Sequence, residues 1–88
     1  MEKKKTTQKA ANLADNSLLI VDDDGPLRER LSRAMEKKGF KVFQADSVKQ
    51  GITQVKNSPP AFAVVDLRLG DGNGLAIVKE IQKLKKKQ

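Results

Sequence analysis

Two short apolar runs in this sequence each end in aspartate. Leu18-Leu19-Ile20-Val21 leads into Asp22-Asp23-Asp24, and Ala61-Phe62-Ala63-Val64-Val65 leads into Asp66. Runs this short, bounded by turn residues and without polar alternation, fit strands buried on both faces, as in a parallel sheet covered by helices.

The intervening segments have helical spacing. Gly25-Pro26 breaks the first strand, and proline suits a first helical turn because its missing N–H costs nothing there. Leu27, Leu31, Ala34 and Met35 then mark one helical face, with Arg28, Arg30, Arg33, Lys37 and Lys38 on the rest. Gly39 is the expected stop. Residues 40–45 read as a second, more amphipathic strand. Ser47 with Gln50 forms a capping-box pattern, and Val48, Ile52 and Val55 line the next helix, weakened by Gly51. Pro59-Pro60 ends it. Residues 61–65 form the third strand, and Gly70-Asp71-Gly72-Asn73-Gly74 reads as a loop. Asn73 is placed to cap a last helix whose apolar stripe is Leu75, Ile77, Val78, Ile81 and Leu84. Strand-helix repeated three times predicts an α/β fold: a parallel sheet of about three strands, right-handed crossovers, and helices on both faces.

Eighty-eight residues allow one domain at most. The absence of cysteine and histidine excludes disulfides, thiolate or imidazole metal sites, and Ser-His or thiol catalysis. No apolar run approaches the length needed to cross a bilayer, so a cytoplasmic protein without membrane contact is expected. The net charge of +7 is concentrated at the ends. Four lysines stand in residues 1–17 against Glu2 and Asp15, and five in residues 79–88 against Glu80. Residues 1–16 read as a disordered basic tail, 17–84 as the folded part, and 85–88 as a basic C-terminal tail. Phosphate attraction to the lysines is a possible nucleic-acid reading. Two solvated basic ends explain them better, since no Tyr or Trp is present to stack on a base.

The acid is clustered within the near-neutral body. Ligands of open parallel sheets bind in the crevice beyond the strands' carboxyl ends. If the first and third strands are neighbours, Asp66 faces Asp22 and Asp23 there. Carboxylates about 5 Å apart repel by roughly 3 kcal/mol per pair at an effective dielectric near 20. A hard divalent cation such as Mg²⁺ relieves that cost and keeps water positions that phosphate oxygens can take. Asp66, alone at its strand end, is the candidate nucleophile toward phosphorus, and the paired Asp22 and Asp23 are the candidate ligands. Asp24 is a weaker candidate. Asp71-Gly72-Asn73-Gly74 is a poor calcium loop because no Glu follows at the last ligand position.

Leu18–Asp24, Gly39-Phe40 and Val64–Gly74 together resemble bacterial two-component response-regulator receiver domains over residues 18 to about 84. Pro59–Leu69 is especially similar to the redox-responsive group typified by RegA, PrrA and ActR. The resemblance implies a three-layer flavodoxin-like (CheY-like) fold, partial here, with strand order 2-1-3. It implies that Asp66 accepts a phosphoryl group from a sensor histidine kinase. Asp22, Asp23, Asp66 and the backbone carbonyl of Arg68 would hold Mg²⁺. Such a module is not an enzyme beyond its own phosphorylation and dephosphorylation. It would serve as the N-terminal part of a transcription regulator, and the DNA-binding domain of that group lies outside this sequence. So do the later strands, with the Ser/Thr and Lys that contact the phosphoryl group. Gly70 replaces the usual Pro and Asn73 the usual Asp. The alternative is a non-catalytic kinase-docking or dimerisation fragment that titrates its partners. Its third strand would be an exposed edge, and a homodimer would complete the sheet.

Overall fold

The computed structural model describes residues 15–86. Most of the expected N-terminal tail, and residues 87–88 of the C-terminal one, lie outside that range. Strands β1 (Ser17–Val21), β2 (Lys41–Ala45) and β3 (Phe62–Val65) form a parallel sheet in the order β2-β1-β3. Helices α1 (Gly25–Lys37), α2 (Val48–Asn57) and α3 (Leu75–Lys86) follow the strands in turn. The α/β fold with order 2-1-3 is therefore as expected.

The layers follow from side-chain alternation along β1. Leu19 and Val21 project to one side, into a core with Ala45, Val55, Leu69 and Ile77, against which α2 and α3 pack. Leu18 and Ile20, equally buried, project to the other face, where α1 lies against β1 and β2. The central strand has both faces covered, which is why its sequence is apolar throughout.

Helix ends match their cues closely. Gly39 has a φ of 100°, a left-handed conformation that glycine adopts without Cβ strain. Gly39 N–H donates to Glu36 O at 3.0 Å and Phe40 N–H to Met35 O at 3.1 Å, the bond pair of a Schellman ending. Ser47 Oγ accepts the Gln50 N–H at 3.1 Å. Gln50 Oε1 reaches Asp46 N at 2.7 Å, one residue before the position that a full capping box would use.

Four local expectations change. First, β3 is not buried on both faces: Phe62 is 53% and Val64 49% exposed. Among the described residues only β1 pairs with it, so β3 is the exposed edge expected of the third strand. Second, α1 is rotated relative to its apolar stripe. Leu27 and Ala34 are exposed, and Ser32 is the helix's buried residue, its Oγ satisfied by Arg28 O at 2.8 Å. Arg28 on that side reaches Asp22 O, one residue past β1, and Gln44 Oε1 on β2. Third, the glycine-rich segment is not a plain loop. β4 (Arg68–Leu69) and β5 (Gly72–Asn73) form a small antiparallel hairpin. Fourth, α3 continues through Lys85 and Lys86, two residues past the expected start of the tail.

Candidate functional site

Parallel register brings the acids together. Val21 is paired with Val65. One step on, Asp66 N–H donates to Val21 O at 2.9 Å and Asp22 N–H to Ala45 O at 3.1 Å. Asp22 and Asp66 therefore leave adjacent strands at the same height. Asp22, Asp23 and Asp66 each offer a carboxylate oxygen, and these oxygens all lie within 4.8 Å of one another. Asp22 and Asp66 are half-buried and Asp23 is exposed. Charges at that spacing repel by about 3.5 kcal/mol per pair at an effective dielectric near 20. The set is all oxygen, partly exposed and at a crevice, which suits a hard hydrated cation such as Mg²⁺.

Each carboxylate is oriented locally. Asp22 Oδ1 accepts the Asp24 N–H at 2.9 Å, and Asp66 Oδ1 accepts the Arg68 N–H at 3.0 Å. Asp24 is turned away from the cluster to work as the N-cap of α1, accepting the Leu27 N–H at 3.0 Å. The loop behind Asp22 is held by Arg28, whose Nη1 donates to Asp22 O at 2.6 Å and whose Nε donates to Gln44 Oε1 at 2.9 Å. Sequence reasoning placed Arg28 on a solvated face. No local signal reveals its role, because Gln44 is 16 residues away on another strand.

The segment after Asp66 is anchored twice. Gly74 N–H donates to Leu67 O at 2.9 Å, and Asn73 Oδ1 accepts the Leu75 N–H at 2.8 Å, the expected cap at the start of α3. At the hairpin tip, Asp71 accepts the N–H groups of Val48 and Lys49. Those two bonds hold the Asp71 carboxyl below the usual carboxylate range.

Comparison with known proteins agrees with this fold. Residues 18–88 match the family described as the response regulator receiver domain. The acid tolerance regulatory protein ActR of Sinorhizobium medicae is 56% identical over 68 residues, covering 77% of this chain and 35% of that protein. The photosynthetic apparatus regulatory protein RegA of Cereibacter sphaeroides is 55% identical over 69 residues, covering 78% of this chain and 38% of that protein. The chain thus spans little more than a third of these curated relatives. Among solved structures, the HemR receiver domain of Leptospira biflexa superposes with a TM-score of 0.65 at 36% identity, covering 82% of this chain and 58% of that one. The crystal structure of FixJ-N superposes with a TM-score of 0.68 at 28% identity, covering 81% and 57%.

Proposed function

Because this chain belongs to the response regulator receiver domain family, we propose that it is a phosphoacceptor module of a two-component relay, with Asp66 as the acceptor. The observation that carries this reading is the meeting of Asp66 with Asp22 and Asp23 within 4.8 Å, inside the matched region. Asp66 Oδ1 accepts the Arg68 N–H, which orients the carboxylate, and one of its oxygens attacks phosphorus. The O–P bond forms as the P–N bond of a kinase phosphohistidine breaks, and the electron pair leaves on the imidazole nitrogen. Asp22, Asp23, Asp66 and the backbone carbonyl of Arg68 would hold Mg²⁺, which when bound neutralises charge on the phosphoryl oxygens. The donor is a sensor histidine kinase in the cytoplasm. The likeness to ActR and RegA supports a place at the N-terminal end of a transcription regulator.

The test is incubation with a phosphorylated kinase, or with acetyl phosphate, in the presence of Mg²⁺. Slow labelling of the wild-type chain is expected, with none above background for Asp66→Asn. Equal label on both would assign the chemistry elsewhere.

The exposed β3 edge favours a second reading, a non-catalytic chain that self-associates. Phe62 and Val64 stand half-exposed, and residues 61–65 carry no charge to repel a second edge. A homodimer with paired β3 strands would cover them. Sedimentation should show concentration-dependent association of the wild type and monomeric Val64→Lys. A wild type that stays monomeric with a sharp thermal transition removes this reading.

A further inference from the structure

Asp71 is an exposed residue with both carboxylate oxygens engaged. Oδ1 accepts the Val48 N–H at 2.8 Å and Oδ2 the Lys49 N–H at 3.1 Å, across 22 to 23 residues of sequence. The first N–H groups of any helix lack partners within it. At α2 they are shared out: Asp71 takes those of Val48 and Lys49, and Ser47 Oγ takes that of Gln50. A carboxylate is favoured there by the helix dipole as well.

Asp71 lies on the short hairpin that begins two residues after Asp66. Its strands are two residues each, Arg68 opposite Asn73 and Leu69 opposite Gly72. Such a ribbon does not hold its shape unaided. Leu69, 8% exposed, fixes one of its strands in the core beside the turn, and the Asp71 bonds fix its tip to α2. Next to Leu69, at the open end of the hairpin, stands Arg68, whose N–H binds Asp66 Oδ1.

We propose that Asp71 is a positioning residue for the carboxylate site: by fastening the hairpin tip to α2 it fixes Arg68, and through the Arg68 N–H it sets how Asp66 faces Asp22 and Asp23. This rests on the phosphoacceptor reading for its consequence, but its geometric part can be read without metal.

The experiment compares Asp71→Ala with Ser47→Ala in the full chain. Both remove a partner from the start of α2, so both lower the melting temperature. Only Asp71→Ala releases the hairpin. Without metal, the Arg68 amide resonance should move and its hydrogen exchange accelerate in Asp71→Ala, while Ser47→Ala stays near wild type. With Mn²⁺ as the probe, at a temperature where each variant is folded, Asp71→Ala should lose affinity about tenfold and Ser47→Ala less than about twofold. Should Asp71→Ala not fold, Asp71→Asn, which keeps one acceptor oxygen, carries the same comparison. An Arg68 amide that responds equally to both substitutions overturns the proposal. A wild-type chain that binds no Mn²⁺ while its Arg68 amide still responds selectively to Asp71→Ala overturns the metal reading and supports the positioning role.

Discussion

Gly74→Ala should destabilise the chain by about 3 kcal/mol and disturb the carboxylate site together with the fold, because overpacking costs typically 1–3 kcal/mol and more where the obstacle is backbone. A Cβ at residue 74 would lie 2.2 Å from Asp66 O, 3.1 Å from Asp66 C and 2.8 Å from Val65 Cγ1. A carbonyl on a strand end cannot rotate aside as a side chain does. Gly74 is also committed at both its backbone groups. Its N–H donates to Leu67 O at 2.9 Å, and its carbonyl accepts the Ile77 N–H at 3.0 Å at the start of α3. Relief must therefore displace α3 or the strand end that bears Asp66. A chain of 88 residues has about 4–13 kcal/mol of stability in all, so a large part of it would be lost. Gly70→Ala is the control. The nearest atom to its added Cβ is Asp23 Oδ2 at 4.0 Å, so no clash arises. Urea unfolding should give a much lower midpoint for Gly74→Ala, near-native behaviour for Gly70→Ala, and weaker Mn²⁺ binding only for the first. Equal midpoints would mean that the approach of residue 74 to the Asp66 carbonyl has no energetic weight.

That close approach marks where the sequence stops being readable. The sheet was legible because β1 and β3 carry continuous apolar runs. Their Asp termini were legible as a site because parallel neighbours end at the same height. The capping bonds of Ser47, Asn73 and Gly39 run to residues two or three positions away, and local cues identified all three. What stayed hidden acts across the chain. Asp71 serves a helix that starts 23 residues earlier, and the two-residue strands of its hairpin are too short to show a period. Arg28 looks like one more surface cation until Asp22 O and Gln44 Oε1 are brought to it. The stripe on α1 misled for a related reason. Leu27 has the right spacing for a core position, but the side that faces the sheet carries Ser32 and Arg28, whose guanidinium bonds Asp22 O and Gln44 Oε1.

Gly51 is a further case, and its correction leads to the largest stability effect expected in the core. Read from the sequence it weakens α2, since glycine costs about 1 kcal/mol relative to alanine inside a helix. In the fold it is buried at the crossing of α2 and α3, and a Cβ there would lie 2.5 Å from Ile77 Cδ1 and 3.2 Å from Ile77 Cγ1. Ile77 is fully buried, so its side chain has little room to move. Ile77→Ala alone should cost about 3–5 kcal/mol, the upper part of the range for emptying a core site. Given the modest total, it should leave a substantial unfolded population at ambient temperature. Gly51→Ala alone sets a helix gain of about 1 kcal/mol against an overpacking cost of about 1–3 kcal/mol, for a net loss of up to about 2. In the Ile77→Ala background the clashing atoms are gone, and the same Gly51→Ala change becomes favourable by about 1 kcal/mol through helix propensity and partial filling of the cavity. The sign of one substitution thus depends on the other, with a coupling of about 1–3 kcal/mol, as expected for residues in direct contact. Thermal or urea unfolding of the four proteins in this cycle measures it. Additivity within about 0.5 kcal/mol would show that α2 and α3 can separate to admit a methyl group, and that the glycine is not what sets their distance.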